Sequence, residues 1–229
     1  MLPATARAAL EAAGFLVIDR VIPAADLDPL RNEADRLLLD SPARGGARNV
    51  LSKSQVLREV AESGTPAQIA RSVLGEGVLP RKLTIFDKRQ GANWLVPWHQ
   101  DLTIAIAERR EVDGFGPWSI KDGLPHVQPP VTVLEQILAI RVHLDETPAA
   151  GGALRVLPGT HRLGRLSTAQ VDSLRRELPE TVCPVPAGGA MLLRPLLLHA
   201  SSASTSPTRR RVLHFEFSTA SLPGGLAWA

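Results

Sequence analysis

A mainly β fold with flanking α-helices is what the sequence predicts, in the form of an antiparallel barrel or a jelly roll. In the first 78 residues, apolar side chains recur at helical spacing. From Leu79 onward the pattern changes to short apolar segments separated by Gly and Pro, which is typical of strands joined by turns. The 229 residues, 44% of them hydrophobic, are enough to bury one large core. We therefore expect a single domain over residues 1–229, with a mostly helical part at 1–78 packed on a jelly-roll core at 79–229.

The elements of the helical part follow from apolar spacing and from the positions of Gly and Pro. In Ala24–Leu39, for example, Leu27, Leu30 and Ala34 recur at intervals of three and four residues, as on one face of a helix. Gly14 is placed to end the first helix, and Gly75 to end the last. The expected elements are a helix at Pro3–Ala13, a strand at Phe15–Ile18, and helices at Ala24–Leu39, Ser54–Glu62 and Pro66–Leu74.

In the second part, Ile137–Leu144 is predicted as a core strand and the region near Ser167–Glu177 as a polar helix. The segment 107–130, rich in charged residues, Gly and Pro, is expected to form a long loop. Long loops over the mouth of a barrel often act as lids. Two roles remain open for Trp118 in this segment: it shapes a substrate pocket, or it only packs.

Composition excludes several classes of partner. The net charge is +3 and aromatic residues make up 4%, whereas a nucleic-acid binder usually has a dense basic stripe with interleaved aromatics. The apolar run Met191–Leu198 is interrupted by Arg194 and Pro195, too short to span a membrane. Residues 1–13 lack the pattern of a secretory signal, and the single Cys183 gives no intrachain disulfide. We expect a cytoplasmic protein that binds neither nucleic acid nor membranes.

The triplet His99-Gln100-Asp101 is the strongest chemical motif. On a strand, residues i and i+2 point to the same face, so that His99 and Asp101 can reach one metal ion. Both residues lie within an apolar stretch, where a carboxylate requires a compensating cation. A second histidine, His199, follows another apolar run and can complete the set. Two His and one carboxylate with open coordination positions form the ligand set of non-haem Fe(II) oxygenases.

Three sequence features carry a resemblance to a known family. They are the segment Phe86-Asp87-Lys88 before Trp98-His99-Gln100-Asp101, the segment from Gly151 to His161 (GGALRVLPGTH), and His199 followed by Ser201 and Arg210. With these features the chain resembles the phytanoyl-CoA dioxygenase family of Fe(II)/2-oxoglutarate oxygenases, from Gly14 to about Phe217. The resemblance implies the double-stranded β-helix fold, a cupin-like jelly roll whose wide end holds the metal. The strand pattern alone predicts the same fold class.

The resemblance also implies the roles of four residues. His99, Asp101 and His199 are the implied iron ligands and catalytic residues. Arg210, eleven residues after His199, is the implied anchor of the distal carboxylate of 2-oxoglutarate, because a guanidinium offers two parallel hydrogen bonds to a carboxylate. Strand alternation places Arg209 and Arg211 on the opposite face. The implied cofactors are Fe(II), 2-oxoglutarate as cosubstrate, and O2.

Thr84, Arg141 and Arg48 fall where the family places cosubstrate or pocket contacts. Lys88 is in phase with Thr84 on the same strand, so it either faces the pocket as well or lies at a solvated strand end. Ser201 lies on the same face as His199, where it either bonds the cosubstrate or is an ordinary strand serine. Family members often have an aromatic residue at the position of Arg141 and a lysine near Arg48, so this chain departs from the pattern at both. Which of these side chains contact 2-oxoglutarate and which contact substrate remains open.

The implied reaction is hydroxylation of a small-molecule substrate with release of succinate and CO2. Asp101 favours hydroxylation, because related halogenases replace this carboxylate with a small residue. One alternative is a cupin-type metal-dependent enzyme that does not use 2-oxoglutarate; it would have further protein ligands and no need of Arg210. The other is a jelly-roll binding protein with an incomplete metal set. His126 and His214 show no partner pattern, and the sequence does not indicate an oligomeric state.

Overall fold

The computed structural model describes residues 2–41 and 45–229. Within these residues, the α-helices are α1 (Ala4–Ala13), α2 (Ala24–Leu39), α3 (Gln55–Glu62), α4 (Thr65–Leu74), α5 (Val131–Leu134) and α6 (Thr168–Glu177). The strands are β1 (Phe15–Ile18), β2 (Gly46–Ala47), β3 (Leu79–Lys88), β4 (Val96–His99), β5 (Ile104–Ala105), β6 (Trp118–Lys121), β7 (Leu124–Val127), β8 (Ile137–His143), β9 (Leu154–Val156), β10 (Thr181–Cys183), β11 (Ala190–Leu193), β12 (His199–Ser201) and β13 (Arg210–Ser218). The prediction of a mainly β fold with flanking helices is confirmed.

The helices begin and end at the residues that local chemistry favours. Gly14 ends α1 with a φ of +82°, a left-handed conformation that glycine adopts without steric cost. The Ser54 hydroxyl accepts a hydrogen bond from the amide of Leu57 at 3.2 Å and so caps α3. Ser167 and Gln170 form a capping box at the start of α6. The expected helices therefore agree with the structure to within about two residues, the usual uncertainty of helix ends.

A six-stranded antiparallel sheet, in the order β1-β11-β8-β13-β3-β2, forms the larger wall of the jelly roll. Its outer face packs against α1–α4 through one hydrophobic cluster, in which Leu83, Ile85 and Phe215 of the sheet contact helix residues such as Leu27. Because side chains alternate along a strand, the residues between these apolar positions point to the inner face. The inner faces of β3 and β13 are therefore the polar ones.

The smaller wall is a four-stranded sheet in the order β10-β9-β12-β4. At one end the two walls enclose a hydrophobic cluster that contains Met191 and Leu193 of the larger sheet together with Val156 of the smaller one. At the other end, polar side chains of both walls face a cavity. The jelly roll is therefore closed by apolar packing at one end and open at the other. No helix in the described ranges has the length and apolar character needed to cross a membrane.

The prediction of a long loop at 107–130 is wrong, because the segment contains the hairpin β6–β7, which pairs with β5 in a three-stranded sheet. The turn of the hairpin is Asp122-Gly123, in which both residues have positive φ values, +48° and +79°. Asp-Gly is a strong signal for a two-residue hairpin turn, and the short strands on either side escape notice among charged residues. The hairpin covers part of the open end of the jelly roll.

Candidate active site

A cavity of about 580 Å³ lies at the open end of the jelly roll. Its walls are the inner faces of β3 and β13, the ends of β4 and β12, and one face of the β6–β7 hairpin. The structure brings together here all the site residues predicted from the sequence except Trp118, namely His99, Asp101, His199, Arg210, Ser201, Thr84, Arg141, Arg48 and Lys88. A volume of this size is typical of small-molecule sites.

The two histidines meet because β4 and β12 are neighbours in the smaller sheet. His99, the last residue of β4, pairs with His199, the first residue of β12, and their ring centres are 4.2 Å apart. Asp101 lies just beyond the end of β4, not on it as the sequence predicts. Its carboxylate oxygens are 3.4 Å from Nε2 of His99 and 3.6 Å from Nε2 of His199. The donor atoms of the three side chains lie within 4.8 Å of one another.

Gln100 holds the segment that carries Asp101. Its side-chain amide donates hydrogen bonds to the carbonyls of Leu196 (2.7 Å) and Gly164 (2.8 Å), and its carbonyl oxygen accepts one from the amide of Leu166 (2.9 Å). The backbone amide of Asp101 donates to the carbonyl of Pro195 at 2.9 Å. These bonds position Asp101 although it lies outside a strand. The sequence indicated that Gln100 points away from the metal, but not that it anchors the ligand segment.

Hydrogen bonds also orient both imidazoles. Nδ1 of His99 donates to the carbonyl of Pro97, and Nδ1 of His199 donates to the carbonyl of Leu197, each at 2.9 Å. A carbonyl can only accept, so the proton of the neutral ring is on Nδ1 and the lone pair is on Nε2. Both Nε2 atoms face Asp101. This is the tautomer and orientation that metal-ligating histidines require.

The electrostatics of the three residues favour a cation between them. Burial lowers the pKa of His199 to about 4, so this ring is neutral at pH 7. Burial alone would raise the pKa of Asp101, but the positive charges that His199 and His99 carry when protonated, with a hydrogen bond from His99, hold it well below its usual range. Burial alone would lower the pKa of His99. The Asp101 carboxylate and the backbone groups together outweigh burial, so that the pKa of His99 is raised above its ordinary value. The donor set of two nitrogens and one ionised carboxylate fits Fe(II). No other cluster of three or more potential metal ligands occurs in the ranges 2–41 and 45–229.

Three buried cations form the next part of the cavity: Arg210, Lys88 and Arg141, whose exposed fractions are 4%, 1% and 7%. Arg210 donates to the carbonyl of Gly152, and its Nε has no partner. Nζ of Lys88 donates to Oγ of Ser201 at 3.0 Å and to the carbonyl of Ser202 at 2.7 Å. Among the described residues, none of the three cations has a carboxylate within 4.0 Å.

The missing counter-ions are apparent in the pKa values of these cations. Burial, followed by the charges of Arg210 and Arg141, lowers the pKa of Lys88 to about 7. Burial and the charge of Arg141 lower the pKa of Arg210 to about 9, and burial lowers that of Arg141 to about 10. An anion among these three groups would relieve both the desolvation and the mutual repulsion. This part of the cavity is therefore complementary to a small dianion.

Further along the same faces lies a connected group of polar residues that the sequence analysis missed. Nη1 of Arg141 donates to Nδ1 of His214 at 3.1 Å, and Nε2 of His214 is 3.5 Å from Oε1 of Glu216. Lys82 donates to the same carboxylate oxygen at 2.6 Å. Burial alone would raise the pKa of the Glu216 carboxyl. The charge of Lys82, followed by the contact with His214, outweighs burial and lowers this pKa to about 2. The inward phase of Lys88 and Arg210 along β3 and β13 is the signal that could have found these residues.

Two predicted residues have surroundings that bear on their roles. Trp118 does not line the cavity: it packs in a hydrophobic cluster with Ile104 and Val127, on the face of the hairpin directed away from the cavity. This arrangement supports packing rather than pocket formation. Arg48 lines the cavity at its mouth, where it forms an ion pair with Asp122 at 2.9 Å, and both side chains are about two-fifths exposed.

Comparison with known sequences gives a family match over most of the chain. The family model described as phytanoyl-CoA dioxygenase (PhyH) matches residues 10–212. The ectoine dioxygenase of Streptomyces coelicolor is 25% identical to the chain over 187 residues, an alignment that covers 74% of this chain and 55% of that protein. The chain spans about half the length of the curated relatives that it matches.

Solved structures show the same fold. The crystal structure of EctD from S. alaskensis with 2-oxoglutarate and 5-hydroxyectoine has a TM-score of 0.74 and 20% identity, covering 95% of this chain and 76% of that one. The non-haem α-ketoglutarate-dependent carbocyclase SnoK from nogalamycin biosynthesis has a TM-score of 0.73 and 16% identity, covering 95% and 84%. The prediction of a double-stranded β-helix is confirmed by these likenesses.

Proposed function

The chain belongs to the phytanoyl-CoA dioxygenase family, and on this premise we propose that it is an Fe(II)- and 2-oxoglutarate-dependent dioxygenase. In the proposed reaction it hydroxylates a small-molecule substrate and releases succinate and CO2. One observation carries the proposal: a two-histidine, one-carboxylate donor set shares its cavity with buried cations that lack counter-ions. The first feature suits a divalent iron ion, and the second suits the dianion that this chemistry consumes.

His99, Asp101 and His199 would hold the iron through two Nε2 atoms and a carboxylate oxygen. Bound iron supplies the activation of O2 and the oxidation that the side chains of this protein cannot perform. The contribution of the chain is to fix the donors before metal binds. Hydrogen bonds from the two Nδ1 atoms fix the histidine rings, and the hydrogen bonds of Gln100 fix the segment that carries Asp101. Asp101 completes the protein ligands, which favours hydroxylation over halogenation.

Arg210 would bind the distal carboxylate of 2-oxoglutarate. Its guanidinium is buried, is held at one end by the carbonyl of Gly152, and keeps an Nε–H without a partner. Lys88 and Ser201 are already hydrogen-bonded to each other beside it, so one ammonium and one hydroxyl are positioned for the same anion. Thr84 lies four residues before Lys88 on β3, on the same face of the strand, and also lines the cavity. Arg141 is close enough to add its charge to either the cosubstrate or the substrate.

A cupin-type enzyme that does not use 2-oxoglutarate remains the second candidate, but the surroundings of Arg210 argue against it. Such an enzyme has no use for a buried guanidinium without a carboxylate, which costs stability unless an anion binds. A substrate of small-molecule class agrees with the cavity volume and with the ectoine dioxygenases among the relatives. The expected cytoplasmic location, the single domain and the absence of nucleic-acid and membrane partners stay predictions.

The test is an anaerobic titration of metal-free protein with Fe(II) and 2-oxoglutarate, followed by the weak visible charge-transfer band of the chelate. We expect a band only when both components are present. Arg210→Ala should weaken 2-oxoglutarate binding, and Arg209→Ala is the matched control because its side chain lies on the opposite face of the sheet. Bound iron without a band in the wild type would overturn the 2-oxoglutarate assignment and favour the cupin-type enzyme.

A further inference from the structure

The β6–β7 hairpin contributes to the cavity two polar side chains that the proposed chemistry does not use. Across the hairpin, Ser119 pairs with His126 and Lys121 pairs with Leu124, so that Lys121 and His126 share one face. That face lines the cavity, whereas Trp118 lies on the other face. Lys121 and His126 are therefore presented together, by one rigid element, to whatever occupies this end of the cavity.

His126 offers an unused hydrogen-bond acceptor. The residue is 1% exposed, and its Nδ1 donates to the carbonyl of Leu124 at 3.1 Å. The lone pair of the neutral ring is then on Nε2, which is buried and has no partner among the described residues. Burial lowers the pKa of His126, in agreement with a neutral ring. Buried polar atoms are almost always satisfied, so Nε2 of His126 calls for a donor from a bound molecule.

Lys121 offers a cation without a counter-ion. Its ammonium donates to Oγ1 of Thr103 at 2.9 Å, and no carboxylate of the described chain lies within ion-pair distance. Lys82, on the opposite wall, differs in this respect because Glu216 neutralises it at 2.6 Å. The side chain of Lys121 is exposed, and partial burial of its ammonium, followed by the charges of Lys82 and Arg48, lowers its pKa. Lys121 is thus available to an anionic group.

This polar end is distinct from the Arg210 end but adjoins the metal ligands. Along β13, the seven residues from Arg210 to Glu216 span roughly 20 Å at the usual rise of a strand. The cavity is therefore long enough for a cosubstrate at Arg210 and a second small molecule at Glu216. Lys121 donates a hydrogen bond to Thr103, two residues after Asp101, and all three residues line the same cavity, which places this end beside the proposed metal ligands.

We propose that the substrate is a small anion with a hydroxyl or amino group, whose anionic group binds Lys121 and whose O–H or N–H donates to Nε2 of His126. This inference rests on the function proposed above and specifies the substrate class. A hydroxy acid or an amino acid derivative has this chemistry. A long acyl chain would not suit this end of the cavity, because Lys82, Thr103 and Gln128 line it with polar groups.

The experiment measures the binding of matched probes to the Fe(II)- and 2-oxoglutarate-loaded protein by anaerobic calorimetry. Each set contains a 3-hydroxy acid, its methyl ester, which lacks the negative charge, and the parent acid, which lacks the hydroxyl; 3-hydroxybutyrate, methyl 3-hydroxybutyrate and butyrate form the first set. Corresponding 3-amino acids and homologues of five and six carbons extend the series. We expect the best hydroxy or amino acid to bind about tenfold or more tightly than either of its two analogues, as one hydrogen bond to a charged or buried group can provide.

Variants then assign the two preferences. Lys121→Met should abolish the preference for acid over ester, and Lys121→Arg should restore much of it. His126→Phe should abolish the preference for the hydroxyl, whereas His126→Gln, which keeps an acceptor, should retain part of it. Lys53→Met removes an exposed lysine outside the cavity and should change neither ratio. Folding of the buried His126 variants is checked by their thermal unfolding.

The substrate proposal is overturned if no acid in the series binds the wild type more tightly than its ester. It is also overturned if Lys121→Met leaves the ratio of acid to ester affinity unchanged. Binding of 2-oxoglutarate to the Fe(II) protein is recorded first and separately. If the cosubstrate fails to bind, the proposed function fails; if it binds and the probes show no preference, only the substrate class is wrong.

Discussion

Three consecutive arginines, Arg209 just before strand β13 and Arg210 and Arg211 at its start, have surroundings that differ by face. On the outer face, Arg209 forms an ion pair with Asp87 at 2.7 Å, and Arg211 forms one with Asp145 at 2.9 Å; both also contact Asp35. On the inner face, Arg210 is buried with a carbonyl as its described partner and no carboxylate. Arginine side chains on the outer face thus stabilise the fold through ion pairs, whereas the arginine on the inner face keeps its charge available to a ligand.

The inner face is itself divided. At the Glu216 end, the buried carboxylate is neutralised by Lys82 and contacts His214, so that the charges of this buried pair are balanced within the protein. At the Arg210 end, Lys88 and Arg141 add positive charge, and no carboxylate in residues 2–41 and 45–229 lies within ion-pair distance of either side chain. A buried charge with a partner supports the fold, whereas a buried charge without a partner indicates a binding site.

The largest expected effect separates the two faces directly. Arg210→Ala should weaken 2-oxoglutarate binding by about 100-fold, because charge-assisted bidentate hydrogen bonds are lost, and should leave the thermal stability unchanged or higher. Arg211→Ala should cost about 2 to 3 kcal/mol of unfolding free energy, because Asp145 and Asp35 lose a partly buried partner, with 2-oxoglutarate affinity retained. The two measurements are the charge-transfer titration and urea unfolding. Equal effects of both variants on 2-oxoglutarate affinity would contradict the comparison.

The next effect tests the balanced end of the cavity. The pKa of Glu216 is lowered to about 2, so its carboxylate contributes stability that is fully present above the unfolded-state pKa near 4.5 and is lost as the pH falls toward 2. A shift of this size corresponds to about 3 kcal/mol. Glu216→Gln should lower stability at pH 7 by an amount of this order and flatten its dependence on pH between 4.5 and 2.

Glu180→Gln is the matched control for that experiment, because Glu180 pairs with Arg155 at the surface, where an ion pair contributes little. Urea unfolding at a series of pH values measures both variants. If the two variants have the same stability profile between pH 4.5 and 7, the Lys82–Glu216 pair does not stabilise the fold as inferred.

A smaller effect concerns the unbalanced end. The pKa of Lys88 is lowered to about 7, and a bound dianion favours its protonated form. Between pH 7 and 9, 2-oxoglutarate affinity should therefore fall as the pH rises, by at most about tenfold per pH unit. Lys88→Met should bind more weakly at pH 7 and show a flatter profile. Arg210 and Arg141, with pKa values of about 9 and about 10, titrate mainly at and above the upper limit of this range. A Lys88→Met profile as steep as that of the wild type would show that another group is responsible.

The residues that sequence analysis could place share a local signal. His99 and Asp101 are two residues apart, and Arg210 is distinguished from its neighbours by strand alternation and by the spacing of eleven residues from His199 that the resemblance implies. The structure places all three side chains at one cavity. The apolar spacing that predicts α1–α4 is local as well. The roles predicted for Ser201, Thr84, Arg141, Arg48 and Lys88 stay predictions, although all five line the cavity.

What escaped prediction depends on pairing between distant strands. Lys82 meets Glu216 because β3 and β13 are in register, and these residues are 134 positions apart. No local pattern specifies that register. The hairpin at Asp122-Gly123 is a different case, since its turn signal is local but its strands have only four residues each and follow a segment rich in charged residues. His126 and Lys121 acquire their meaning only from this hairpin.

The smallest expected effect follows from the alternation of the hairpin. Trp118 packs on the hydrophobic side with Ile104 and Val127, and its indole Nε1 is buried without a hydrogen-bond partner in the described chain. Trp118→Phe keeps an aromatic ring and removes an unsatisfied donor, so the loss of unfolding free energy should be about 1 kcal/mol or less. Binding of 2-oxoglutarate and the acid-to-ester preference should both be unchanged, because they depend on the other face. A change in probe preference in Trp118→Phe, with stability intact, would instead make Trp118 a substrate contact and would require the hairpin to present both faces to the cavity.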